Sequence, residues 1–159
     1  MSDSSQSQFI HLRCHSEYSI SDGIVRIPDY VKKALKTNMP ALALTDLRNL
    51  FGAVKFYESA IASGIKPIFG ADVWIENDAS SEQPHKMLLL CQDQQGFNNL
   101  SELLSKAYLE NQVRGKPMIK KNWLFASHDG LIVLSGSLNG NIGKLLDQNK
   151  IPEAREELL

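Results

Sequence analysis

An α/β fold built on a largely parallel sheet is what the sequence predicts, on three observations. Short apolar runs with little internal alternation recur along the chain, helical patterns separate them, and turn residues mark the joins. Runs of that kind are strands buried on both faces, as in parallel sheets covered by helices. Met1–Gln8 has no large apolar side chain beyond the initiator and is expected to be a disordered tail. The fold is expected to begin at Phe9 with a buried strand. Pro28–Asn38 follows as a helix, with proline near its start and Tyr30, Val31, Ala34 and Leu35 at helical spacing before Pro40. Ala41–Thr45 is the second strand, Phe51–Ser63 a helix stopped by Gly64, Pro67–Ile75 the third strand, and Glu76–Pro84 a polar loop. Lys86–Cys91 is the fourth strand. Gly96–Asn111 is a helix with Phe97, Leu100, Leu103, Leu104, Ala107 and Tyr108 on one face, and Leu131–Ser135 the fifth strand. Helical patterns return at Asn141–Gln148 and from Pro152 to the end, where IPEAREELL stops in mid helix. Five strands are too few for an eight-stranded barrel, so the chain is expected to be the first part of a longer one.

The 159 residues amount to one ordinary domain, and 43% hydrophobic with 22% charged residues is a globular composition. A formal charge of −1 lacks the strongly basic balance of a nucleic-acid grip. No apolar run is long enough to span a bilayer and no leader pattern opens the chain, so no membrane partner is expected and the location is read as cytoplasmic. Cys14 and Cys91 lie in apolar runs and are read as reduced core thiols.

Phe9–Gly23 holds the chemistry. Residues two apart in a strand share a face, so His11, Arg13 and His15 project together, away from Ile10, Leu12 and Cys14. Imidazole can ligate a metal; a guanidinium, with five donors and no acceptor, cannot. Other polar residues sit at strand ends, where α/β barrels build their sites: Asp46 closing the second strand, Asp72 late in the third, Ser137 after the fifth, with Asp22 and His85 as further candidates. Each also has an ordinary reading. Asp46 caps the next helix, Asp22-Gly23 is a turn, His15-Ser16-Glu17 is a cap, and His85 and Ser137 are exposed loop-edge residues.

Four stretches, HLRCHSEYSISDG at 11–23, the segment from Pro40 to Val73, HKMLLLCQDQQGFNNLSELLSKAYLE at 85–110 and GLIVLSG at 130–136, carry a resemblance. They resemble, in order and at matching separations, the PHP (polymerase and histidinol phosphatase) domain at the amino terminus of bacterial replicative DNA polymerase III alpha subunits. The resemblance implies a distorted β/α barrel of about seven strands, here cut to its first part over 9–159, with the polymerase regions following. In metal-binding relatives the first motif reads H-x-H and the second ends T-D-H, while a glutamate, a further histidine and a cysteine after the S-G pair add ligands. Carried over, His11 matches the first histidine, Asp22 the aspartate before glycine, His85 the histidine opening the fourth strand, and Asp72 takes the glutamate place. Arg13 stands where the second histidine belongs, Leu47 replaces the histidine of T-D-H, and Ser137 replaces the cysteine. The family's last aspartate and histidine ligands would fall after Leu159.

These departures imply a vestigial site that binds no metal, with Arg13 set among Asp22, Asp46 and Asp72 in place of the ion. The expected role is a metal-free, catalytically inactive scaffold that docks a separate 3′–5′ proofreading exonuclease. The parent subunit would carry out template-directed DNA synthesis as a nucleotidyltransferase, with magnesium at its polymerase site. It would meet the sliding clamp, the clamp loader and primer-template DNA through regions outside this segment, which itself needs no cofactor. The alternatives are an active metal-dependent phosphoesterase or intrinsic 3′–5′ exonuclease, with bound metal activating water, and a free-standing histidinol-phosphatase-like enzyme. An unfinished sheet leaves an open edge, so dimerisation of the segment is also expected.

Overall fold

The computed structural model describes residues 9–77 and 83–158; the predicted tail and the middle of the 76–84 loop lie outside the described residues. A four-stranded mixed sheet forms the centre, in the order β1 (Ala41–Leu44), β2 (Lys66–Ile75), β3 (His85–Cys91), β6 (Leu131–Ser135). β1 and β2 are parallel, with Ala41 beside Lys66, because a full helical crossover joins them. The predicted parallel order stops there. β2 and β3 are antiparallel, with Asp72 opposite Leu88 and Ile75 opposite His85, and β3 and β6 are antiparallel as well. No helix lies between β2 and β3 among the described residues, so the chain turns back as an antiparallel pair.

Three helices cover the sheet. Helix α1 (Ile27–Lys36) and helix α2 (Ala53–Ala62) bury Ile27, Val31, Ala34, Phe56 and Ala60 against Leu42 and Leu44 of β1. Gly64, at φ +69, reverses the chain after α2, and the Ile65 amide donates back to the Ala60 carbonyl, which is why the helix stops where glycine predicts. Helix α3 (Gln94–Glu110) starts at Asp93, whose side chain accepts from the Gly96 amide at 2.9 Å. Its Leu100, Leu103, Leu104 and Ala107 pack on Ala71, Val73, Ile75 and Leu89. A Cβ on Gly96 would lie 1.9 Å from the Gly130 carbonyl oxygen, so this close approach of α3 to the start of β6 requires glycine. β1 is buried on both faces, as its unbroken apolar run predicts: Ala43 joins Leu88, Leu90 and Ile68 on the side away from the helices.

The opening strand is a correction. Residues 9–15 run beside β1 but form no ladder, and His11, Leu12 and Arg13 are exposed. The Ala43 amide donates to the His11 carbonyl and the Thr45 amide to the Cys14 carbonyl. Three residues of the opening segment are thus matched to two of β1, and the extra residue breaks the alternation as a bulge does. The span 112–130 also holds structure the sequence did not announce. β4 (Gln112–Val113) and β5 (Lys116–Pro117) form a hairpin turning at Arg114-Gly115, both at positive φ, and helix α4 (Lys121–Ala126) follows. Two-residue strands are too short to show a period, and Arg-Gly lacks the usual Asn or Asp signal of such turns. Helix α5 (Asn141–Asp147) matches its prediction; helix α6 (Ile151–Glu156) ends in a turn at residues 157–158 instead of running to the last residue. Among the described residues no helix is long and apolar enough to cross a membrane, and Cys14 and Cys91 are free and half-buried.

Candidate functional site

Asp72 is the centre of the site. Strand alternation puts Ala71, Val73 and Ile75 against α3, so Asp72 projects from the other face of β2, with a side chain only 3% exposed. One oxygen, Oδ2, receives both Arg13 Nε and Nη2 at 2.6 Å, and His15 Nε2 lies 2.6 Å from the same atom. The other ring nitrogen of His15, Nδ1, is 3.1 Å from Asp22 Oδ2. The bulge makes this possible: Arg13 and His15 both turn to Asp72, while His11 stays exposed with its ring edge-on to Phe9. Among the described residues His11 makes no bond to Asp72, although it lines the same cavity as Arg13 and Asp72. The hydrogen bond to Asp72 raises the pKa of His15; burial opposes the shift, Asp22 supports it, and Arg13 opposes it.

Asp46 is a second buried carboxylate, 1% exposed, with a different solution. It accepts from the Ser16 amide at 2.6 Å and from the hydroxyls of Ser16 and Ser19 at 2.8 Å. It therefore does not cap α2, and Arg13, expected to reach Asp22, Asp46 and Asp72, is bonded among the described residues to Asp72 and to neither of the other two. Ser16 does act as the predicted cap, its hydroxyl accepting from the Tyr18 amide. The Leu47 amide donates to Ser19 Oγ, and Leu47 bridges to Asp72 on the backbone, so the residue at the T-D-H histidine place is a structural joint. Ser16 entered the sequence reading only as a cap and Ser19 not at all; their three-residue spacing ahead of Asp46 is the signal that could have found them as its partners.

His85 lies elsewhere. Its partner across the strands is Ile75, which faces α3, so His85 projects from the face opposite to Asp72. It is 6% exposed, not the solvent-exposed residue of the ordinary reading, and its Nδ1 has no partner. Burial lowers its pKa, with Lys144 and Lys121 adding to the effect. Ser137 is exposed at φ +52 and lines a cavity of about 450 Å³ together with His11, Arg13 and Asp72. Of the nine candidates, His15, Asp22, Asp72 and Arg13 are joined by direct bonds, Asp46 and Leu47 brace them, His11 and Ser137 border the cavity, and His85 is separate.

The bonding within the cluster bears on whether it could hold a divalent ion. Both His15 nitrogens are engaged by carboxylates, and a fixed cation occupies the oxygen that a ligand would offer. Among the described residues no group of three or more His, Cys, Asp or Glu side chains is placed to hold a metal.

The sequence profile described as the PHP domain matches residues 11–159. The DNA polymerase III subunit alpha of Vibrio cholerae is 46% identical over 142 residues, covering 89% of this chain and 12% of that protein. The subunit of the same description from Escherichia coli K12 is 42% identical over 142 residues, with the same coverage of each chain. The chain thus spans about an eighth of the length of these relatives. A solved structure from Bifidobacterium adolescentis, assigned as a metal-dependent phosphoesterase, superposes with a TM-score of 0.50 at 18% identity, covering 64% of this chain and 34% of that one, a likeness of fold alone.

The raised pKa of His15 has a signed consequence. The folded chain holds the His15 proton more tightly than the unfolded chain, so this contribution to stability is full below about pH 6.5 and is lost as the pH rises through the raised value. His85, with its lowered value, contributes in the opposite sense, losing stability as the pH falls below about 6.5. Comparing the chain with His15→Gln by urea unfolding across this range cancels the His85 contribution. The advantage of the native chain should be greatest on the acid side and shrink past neutrality; a gap independent of pH would contradict the assignment.

Proposed function

The chain belongs to the PHP domain family, and on that premise we propose that it is a metal-free scaffold domain of a replicative DNA polymerase alpha subunit, whose polymerase regions carry out template-directed DNA synthesis. Its work is to hold the amino-terminal part of that subunit together and to dock the separate 3′–5′ proofreading exonuclease in the cytoplasm. The observation that carries the reading is the Arg13 fork on buried Asp72. In a metal-binding relative the corresponding carboxylate is neutralised by an ion; here a guanidinium does it with two charge-assisted hydrogen bonds and cannot be displaced by deprotonation. Losing even an outer partner of a metal ligand costs about 10–100-fold in affinity. Here Arg13 and Leu47 have replaced ligands, and His85 has left the face altogether. The sequence similarity to polymerase alpha subunits supports the larger assignment.

The open edge supports a second property of the isolated segment. β6 is the last strand of the sheet, and its Ile132, Val133 and Leu134 are exposed at 40%, 42% and 37%. Two copies pairing β6 to β6 about a twofold axis would satisfy both edges.

Purified protein is expected to contain no stoichiometric manganese or zinc, to hydrolyse no phosphoester when either is added, and to capture the exonuclease subunit in a pull-down. Stoichiometric metal with hydrolysis abolished by His11→Ala would replace the scaffold reading with the phosphoesterase one. For the edge, light scattering at high concentration should give a dimer mass that Val133→Pro returns to a monomer, since proline removes a ladder donor. A monomer mass for the unsubstituted chain would remove the self-pairing.

A further inference from the structure

Trp74 lies two residues beyond Asp72 on the same face of β2, with two cations over its ring and a third residue, Lys86, paired with it across the strands. The Arg48 guanidinium carbon is 4.2 Å from the ring centroid and Lys116 Nζ is 5.0 Å from it. Lys86 stands directly opposite Trp74 in the β2–β3 register and shares its face. The ion pairs among the described residues join Arg13 and His15 to Asp72, His15 to Asp22, Lys55 to Glu17, Lys121 to Glu157 and His128 to Asp129. Arg48, Lys86 and Lys116 are absent from that set, so among the described residues no carboxylate is ion-paired to any of these three cations.

Arg48 adds an independent observation. Its backbone is left-handed, at φ +61, fixed there by its amide donating to the Asp72 carbonyl at 2.8 Å. Its Nε is buried without an acceptor. A guanidinium cannot relieve an unmade bond by losing its charge, so a buried Nε donor with no acceptor among the described residues marks a place short of an anionic acceptor. A formal charge of −1 over the whole chain conceals this local excess.

We infer that Arg48, Lys86 and Lys116 around Trp74 form a contact surface for the phosphodiester backbone of single-stranded nucleic acid. Phosphate matches the guanidinium fork, and two flexible ammonium groups follow successive charges along a strand. An indole among cations is the combination by which single strands are held without regard to sequence, the ring serving the bases and the cations the backbone. An acidic peptide would use the charges and leave the ring without a role. The inference stands apart from the scaffold reading, because none of these residues takes part in the Arg13–Asp72 cluster through its side chain.

The test uses the intact chain and a fluorescent oligothymidylate of about 16 nucleotides, the upper range of a single-strand site. Binding followed by anisotropy should weaken linearly in log–log form with salt. Arg48→Ala/Lys86→Ala/Lys116→Ala should lower the slope by about 2, at roughly 0.7 per cation lost, whereas Lys32→Ala/Lys33→Ala/Lys36→Ala on α1 should leave it unchanged. Lys86→Gln/Lys116→Gln, which spares the Arg48 backbone turn, should lower it by about 1.4 and guards against a misfolded triple variant. Oligothymidylate should also change the Trp74 fluorescence of a Trp123→Phe chain. No binding at low salt, a slope indifferent to Lys86→Gln/Lys116→Gln, or polyglutamate binding as tightly with the same slope loss would each overturn the inference, the last in favour of an acidic peptide.

Discussion

A carboxylate taken out of water has to be neutralised or fully hydrogen-bonded, and the amino-terminal half of this domain is arranged around two of them. Asp72 is met by Arg13 and His15; Asp46 is met by Ser16 and Ser19. All four partners come from one stretch of seven residues that makes almost no strand ladder of its own. Side-chain bonds to buried acids, together with Thr45 Oγ1 accepting from the Cys14 amide, therefore do the work that a regular strand would do. The backbone of the T-D-L-R segment closes the arrangement from the other side. The Asp72 amide donates to the Asp46 carbonyl and the Arg48 amide to the Asp72 carbonyl, so both acids belong to one hydrogen-bonded network.

That network holds the opening segment against β1 and β2 through side-chain donors to two buried acids. The guanidinium draws the opening segment to β2 through two donors on one carboxylate oxygen. Arg13 is half exposed, with a side chain 51% accessible, whereas Asp72 is nearly sealed. The stability at stake is therefore that of the buried acid more than of the arginine. Both nitrogens of His15 are committed to carboxylates, which fixes the orientation of its ring.

Much of the fold was legible because its core helices and strands obey simple periods. β1 reads as a doubly buried run and is one; α2 stops at Gly64 because only glycine enters the left-handed turn there without strain. Two kinds of feature were not legible. Strand direction escaped, since an apolar run such as that of β3 looks the same parallel or antiparallel. Register escaped as well. One extra residue between His11 and Cys14 breaks the alternation of the opening segment, and alternation from Ile75 carries His85 to the α3 face. The cluster of Arg13, His15, Asp22 and Asp72 could be nominated from sequence, but its wiring could not, because the bonds depend on rotations that spacing does not record.

The most direct measurement is a double-mutant cycle between Arg13 and Asp72, with Arg13→Ala, Asp72→Asn and the pair compared by urea unfolding. If the guanidinium is what allows Asp72 to be buried, Arg13→Ala alone should cost about 1–3 kcal/mol, the cost of a buried polar group left unsatisfied. The same substitution in the Asp72→Asn background should cost much less, giving a coupling above about 0.5 kcal/mol. Additive effects, with Arg13→Ala close to neutral, would contradict the claim that Arg13 holds this site together.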